Sequence, residues 1–219
     1  MEYKVKKEME MRDKVRGVKE MLRLSMDGIT AGRLRNLGYK LVFGVTYPRL
    51  KELANKIEPD TELAMNLWNL HQRETMILAT ILVEHPTMND AMMLIEDSFN
   101  EEIAEYLTRN LLTRLDEPWQ LINCDIRGKY SDYIKYALAA RLLLDGNDND
   151  SVLPLIEKSD EMAQKMSERE ISSVASLLKR SYRTHKPDVE KALVNIRAID
   201  NMKCKWVAEE LETYIEFSI

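Results

Sequence analysis

From Pro48 onward, apolar residues recur at every third or fourth position, and the recurrence is broken at short intervals by Pro59-Asp60, His85-Pro86, Glu117-Pro118, residues 146–150 and Lys186-Pro187. Ile103, Leu107, Leu111 and Leu115 form one such run; Val189, Ala192, Leu193, Ile196 and Ile199 form another, and Val207, Leu211, Tyr214 and Ile215 a third. A strand buries every second residue and a helix every third or fourth, so this spacing restricts the chain to packed amphipathic helices. No segment alternates in the manner of a strand. Segment starts near 60, 88, 118, 151 and 188 leave intervals of 28 to 37 residues, each long enough for two short helices. The spacing supports a helical repeat or an irregular bundle, and the class is all-α. Asn100 ahead of Glu101-Glu102, and Ser167 with Glu170 three residues on, are N-cap signatures that place helix starts near 101 and 168.

Before Pro48 the pattern differs. Val5, Met9, Val15, Val18, Leu22 and Met26 fall at mostly helical spacings within a highly charged segment, giving one or two N-terminal helices. Gly28, Gly32, Gly38 and Gly44 then crowd into a stretch ending at Pro48, which reads as a loop-rich connection. A chain of 219 residues is expected to bury about 70% of its unfolded surface, so a single domain over 1–219 with a true core is anticipated. Within it, residues 1–47 supply the N-terminal helices and glycine-rich connection, and 48–219 the stacked helix pairs.

Cys124 and Cys204 are the only cysteines, and the N-terminus shows no charged region followed by an apolar signal core; both point to a cytoplasmic protein with free thiols. Apolar runs such as Ile77–Ala79 fall far short of the roughly 20 residues a membrane span needs. His71, His85 and His185 are scattered, with no HExxH and no zinc-ligand spacing, and neither a phosphate-binding glycine loop nor a nucleophile elbow is present. No metal, cofactor or membrane is expected. Net charge is −5, against a polyanionic partner at face value, but the charge is uneven. Residues 1–56 carry 14 basic and 7 acidic residues, 57–164 carry 8 and 21, and 165–219 carry 10 and 9. The basic N-terminal segment is either an electrostatic footprint for phosphates or an ordinary solvated face.

Three segments carry a resemblance. Phe43-Gly44-Val45-Thr46-Tyr47-Pro48-Arg49-Leu50-Lys51-Glu52-Leu53-Ala54 resembles the "FGV..P.LR.LA" entry of the AlkD-like DNA alkylation-repair family. Leu67-Trp68, followed by Gln72-Arg73-Glu74-Thr75-Met76-Ile77-Leu78-Ala79, resembles its "LW.S..HEER.LAA" helix pair. Leu178-Lys179 and Thr184-His185-Lys186-Pro187-Asp188-Val189 resemble its "LRE.SK..P..V" segment. The resemblance implies an α-α superhelix of stacked antiparallel HEAT-like helix pairs, with a basic concave surface that holds double-stranded DNA. For catalytic members it also implies release of N3- or N7-alkylated purines. Trp68 and Met76 read as core residues.

A cationic alkylpurine leaves as a neutral base, so the useful catalytic group is a carboxylate beside the developing sugar cation. The family places that Asp four residues after a Trp that packs on the damaged nucleotide. The corresponding segment here is Glu117-Pro118-Trp119-Gln120-Leu121-Ile122-Asn123-Cys124-Asp125, so Trp119 is kept and Asn123 stands at the Asp position. An amide carries no negative charge. Asp125 and Glu117 are candidate substitutes, although on a continuing helix Asp125 is rotated about 200° from position 123. Trp119 is otherwise a core aromatic at a helix start. Ser176 falls where the family has a second Trp, and the family's paired arginines fall near Lys135 and Arg141, where no Arg-Arg pair exists.

Arg49, Lys51, Lys135, Arg141, Lys179, Arg180 and Arg183 are the candidate residues against phosphates, with Lys186 beside them; positive side chains near helix ends suit phosphates, and an ordinary exposed face explains the last four as well. The function expected is DNA binding, to duplex and alkylated DNA, with glycosylase activity compromised by Asn123. The alternative is a non-catalytic HEAT-repeat scaffold with a protein partner, favoured by the acidic middle of the chain.

Overall fold

The computed structural model of the protein describes residues 2–36, 39–144, 146 and 149–217, so Gly38 of the glycine-rich stretch and Asn147 and Asp148 of the 146–150 break lie outside the described residues. Every regular element among the described residues is helical, and they gather into two compact units, Met1–Pro86 and Thr87–Ile219.

The first unit contains α1 (Glu2–Leu24), α2 (Gly28–Asn36), α3 (Tyr47–Ala54), α4 (Thr61–Trp68) and α5 (Arg73–Leu82). Its centre is α5, where every residue from Arg73 to Thr80 is buried. A helix enclosed on all sides needs no polar face, and its middle, Met76 to Ala79, is an unbroken apolar run, while its buried Arg73 and Glu74 are hydrogen-bonded inside the unit. α3 and α4 pack on it, and α1 packs on α4. Trp68 and Met76 are core residues as expected, 2% and 0% exposed.

α1 departs from its expected stripe. Val18 and Leu22 are buried, but Met9 is 60% and Met26 56% exposed, Met26 lies beyond the helix end, and the side chain of Val5 lies outside the described residues. Two ion pairs supplement the small apolar seam: Lys14 to Asp60 at 2.6 Å and Lys7 to Glu62 at 2.7 Å, both on α4 or its cap.

The glycine-rich stretch is not all loop. The Asp27 carboxylate accepts the Ile29 amide at 3.0 Å, and α2 begins beside it at Gly28. Composition pointed to a loop; a cap at the right position made a helix of it. Gly44 is the glycine that the backbone requires. Its φ is +78°, and a Cβ there would lie 2.2 Å from the Asp27 carbonyl oxygen and 2.5 Å from the Ala31 nitrogen.

The segment around Gly44 is fastened from inside. Buried Glu74, on α5, accepts the amides of Gly44 at 2.9 Å and Val45 at 3.3 Å through Oε1, and of Phe43 at 3.0 Å through Oε2. Arg73 Nη1 donates to the Val45 carbonyl at 3.0 Å and to Glu74 at 3.3 Å. The two segments that carry the family resemblance in this unit are therefore bonded to one another, and their most distinctive residues hold the fold.

The second unit contains α6 (Met88–Glu96), α7 (Glu101–Asn110), α8 (Pro118–Asn123), α9 (Ser131–Leu144), α10 (Leu153–Glu157), α11 (Ser159–Lys165), α12 (Ile171–Ser181), α13 (Lys186–Arg197) and α14 (Met202–Phe217). α7, α9, α12 and α14 form one stacked row, each packed on the next, while α10 and α11 pack on α13 and α13 returns to α14. This two-layer stacking is the arrangement of a helical repeat. α9 plays the part of α5, buried from Tyr133 to Leu142 except at Lys135 and Arg141.

Observed starts at 61, 88, 118 and 186 match the punctuation; near 151 a short 3-10 turn, Asp150–Val152, precedes α10. Asn100 caps α7 by accepting the Ile103 amide at 2.9 Å. Ser167 and Glu170 exchange the two bonds of a capping box, 2.8 and 3.2 Å, yet α12 begins at Ile171, so the box closes the preceding turn rather than the helix itself.

Candidate functional site

Trp119 and Asn123 lie on α8, a six-residue helix started by Pro118. Four residues apart, they share one face. Trp119 is half-buried, and Asn123 is exposed at the last helical position. The Asn123 amide nitrogen donates to Ser151 Oγ at 3.1 Å, tying α8 to the turn before α10. At Cys124 the chain turns extended (φ −77°, ψ 152°), so the rotation expected for Asp125 on a continuing helix does not apply. Asp125 is exposed beyond the helix end, and Glu117, also exposed, takes the Gln120 side chain as donor.

The basic residues expected against phosphate are mostly engaged within the chain. Lys135 Nζ donates to the Cys124 carbonyl at 2.5 Å, which brings it beside Asn123 and caps the C-terminal end of α8. Arg141, six residues further along α9 and about 240° around it, pairs instead with Glu105 on α7. The other Glu105 oxygen takes the Tyr133 hydroxyl at 2.5 Å. Burial, and then the Glu105 charge, hold that hydroxyl far above its ordinary pKa, so it remains a donor. Lys135 and Arg141 thus serve different neighbours and do not form a paired clamp.

Lys179 pairs with Glu210 on α14, and Arg180 Nη1 donates to the Ala140 carbonyl at 2.5 Å. Arg183 is exposed, and Ser176 is half-buried on α12. Arg49 pairs with Glu52 at 2.6 Å and reaches Ser25 Oγ at 3.4 Å, while Lys51 is exposed.

A different set of cations is less engaged. Arg12, Arg16, Lys19 and Arg23 on α1 are spaced four, three and four residues apart, which places all four within about 60° of arc on one side of the helix. That side lies about 110° from the Val18–Leu22 seam. Arg16 pairs with Asp13 at 2.9 Å and Arg23 with Glu20 at 3.7 Å, all of these side chains more than half exposed; among the described residues no ion pair engages Arg12 or Lys19. Exposed pairs of this kind contribute little and are screened by salt, so they yield readily to a polyanion. The basic character of the N-terminal segment is visible in composition, and the stripe within it in the four-three-four spacing of its cations.

Charge also divides between the units: residues 1–86 hold 15 basic and 12 acidic residues, and 87–219 hold 17 and 25. Among the described residues no cluster of His, Cys, Asp and Glu has a metal-binding arrangement, and no helix is long and apolar enough to cross a membrane.

No protein-family model matches the chain, and comparison with curated proteins finds no match. Comparison with solved structures finds a protein described as belonging to "a new family of proteins related to the HEAT-like repeat DNA glycosylases with affinity for branched DNA structures". It is 17% identical, covers 93% of this chain and 94% of its own, and superposes with a TM-score of 0.72. At that identity the likeness extends to the architecture: the chain has an all-α fold of HEAT-like repeats.

Proposed function

We propose that the protein binds DNA through the cationic side of its first unit, prefers branched over continuous duplex DNA, and lacks glycosylase activity. The α1 stripe carries the reading: four cations on one side of an exposed helix, spanning about 16 Å, match the sequence-independent grip on phosphates that dominates DNA affinity. The solved protein of similar fold is described as having affinity for branched DNA, which supports the choice of substrate. A part in DNA alkylation repair extends the same reading through the resemblance of residues 43–84. A second reading, a scaffold for a protein partner, is favoured by the acidic excess of residues 87–219.

Loss of catalysis rests on Asn123. Its amide is held by Ser151, and no carboxylate replaces it on the Trp119 face of α8. Release of free base from duplex DNA bearing 7-methylguanine is expected to match a protein-free control. Release above that control would refute this part of the reading. The Asn123→Asp variant keeps the link to the turn before α10, because the Ser151 hydroxyl donates to the new carboxylate, and its stability is expected to change by less than about 1 kcal/mol in urea denaturation. Base release by that variant alone would mean that the remainder of the site is competent.

A further inference from the structure

Alongside the α1 stripe the surface is not flat. Arg12, Val15, Arg16, Lys19, Glu20, Arg23 and Phe43 enclose a groove of about 370 Å³. The occupant suited to it combines negative charge with a flat apolar face. Arg12 and Lys19 offer cations without an ion-pair partner among the described residues; Val15 and Phe43 offer apolar surface; and the lone lining carboxylate, Glu20, is drawn toward Arg23.

Phe43 is held in place for such a role. Its amide donates to Glu74 at 3.0 Å and its carbonyl accepts the Asp27 amide at 3.3 Å, so the backbone that bears the ring is fixed on both sides. The side chain is nonetheless only half-buried. A rigid aromatic beside a row of cations is the combination that holds single-stranded nucleic acid, phosphates along the charges and a base against the ring. A paired duplex offers no free base face to the ring; an unpaired nucleotide does.

We propose that this groove seats an unpaired segment of the bound DNA, its phosphates along Arg12, Arg16 and Lys19 and one base resting on Phe43. The proposal rests on the DNA-binding reading above and adds to it the feature of the DNA that is recognised: an exposed single strand at a branch. The groove has room for one nucleotide at a time, and the stripe matches the rise of about five nucleotides of one strand.

The test measures fluorescence anisotropy with two labelled DNAs, a blunt duplex and the same duplex carrying a single-stranded oligothymidine flap. The natural protein is expected to favour the flap by about tenfold. Phe43→Leu is expected to lose that preference while its affinity for the blunt duplex stays within about twofold, and Phe43→Tyr, which keeps a ring, is expected to retain the preference. A 2-aminopurine placed in the flap gives a readout on the natural protein alone, independent of how the variants fold: its emission is expected to change on binding as the base leaves its neighbours for the ring.

Duplex binding without flap preference, flap preference intact in Phe43→Leu, or unchanged 2-aminopurine emission overturns the proposal and leaves DNA binding by the α1 stripe standing; the first of these also counts against the preference for branched DNA. Absence of binding to either DNA overturns both. Binding to vesicles of phosphatidylserine and phosphatidylcholine in place of DNA also overturns both and assigns the stripe to an anionic membrane surface.

Discussion

Reversing the charge of Arg12, Arg16, Lys19 and Arg23 together is expected to weaken binding to a four-way DNA junction by on the order of 10³-fold and to reduce the salt slope of binding by about 3.5. The effect follows from counterion release: each phosphate neutralised by a protein cation frees condensed ions, and removing four contacts removes that gain four times. Their ion pairs reach only Asp13 and Glu20 on the same helix, and the stripe is centred about 110° from the buried Val18–Leu22 seam, with only Lys19 half-buried. Thermal unfolding should therefore be nearly unchanged, which separates loss of binding from loss of fold. The same reversal at Lys179 and Arg180 is expected to weaken binding far less and to lower stability, because those side chains hold Glu210 and the Ala140 carbonyl. Equal losses of affinity from both sets would move the DNA-binding surface away from α1.

Glu74→Leu is expected to cost about 3–5 kcal/mol of folding stability, seen in urea denaturation followed by circular dichroism, and to lower the melting temperature by on the order of 10 °C. The carboxylate is 0% exposed and accepts three amides, two of them buried, while facing the Arg73 guanidinium. A leucine fills the volume but leaves those donors without their acceptor, and an unsatisfied buried donor costs more than the bond contributed. Glu74→Gln retains one acceptor oxygen and loses the charge, so a smaller loss, about 2 kcal/mol, is expected. The close approach at Gly44 depends on the same clasp, so released backbone at 43–45 would also withdraw Phe43 from the α1 groove. A Glu74→Leu protein as stable as the natural one would show that the 43–45 segment is held by something other than this carboxylate.

The helical class and most helix starts were legible in the sequence because they depend on local signals: apolar spacing, prolines, and caps such as Asn100. The buried runs of Ile103, Leu107, Leu111 and Leu115 followed for the same reason. Misreadings arose where a short-range signal was overruled. Glycines 28 and 32 suggested a loop, but the cap at Asp27 made a helix. The orientation argued for Asp125 assumed a helix longer than the six residues of α8.

Roles of polar side chains were the least legible, since they depend on partners far away in the chain. Glu74 is about 30 residues from the amides it holds, and Arg141 is 36 from Glu105. Lys179 is 31 from Glu210, so a basic residue that looked available for phosphate is already part of an internal pair. The α1 stripe had the opposite fate: its pattern was in the sequence, but which side of α1 is buried became clear only from the packing of Val18 and Leu22 against the rest of the first unit.

The most direct test of the account is the affinity of the natural protein for a labelled four-way junction and for a duplex of equal length, titrated between about 50 and 200 mM salt. The account predicts tighter binding to the junction and, for both DNAs, a logarithm of affinity that falls linearly with the logarithm of salt concentration. Failure to bind either DNA at the lowest salt, or binding indifferent to salt, would contradict it and leave the protein-scaffold reading in its place.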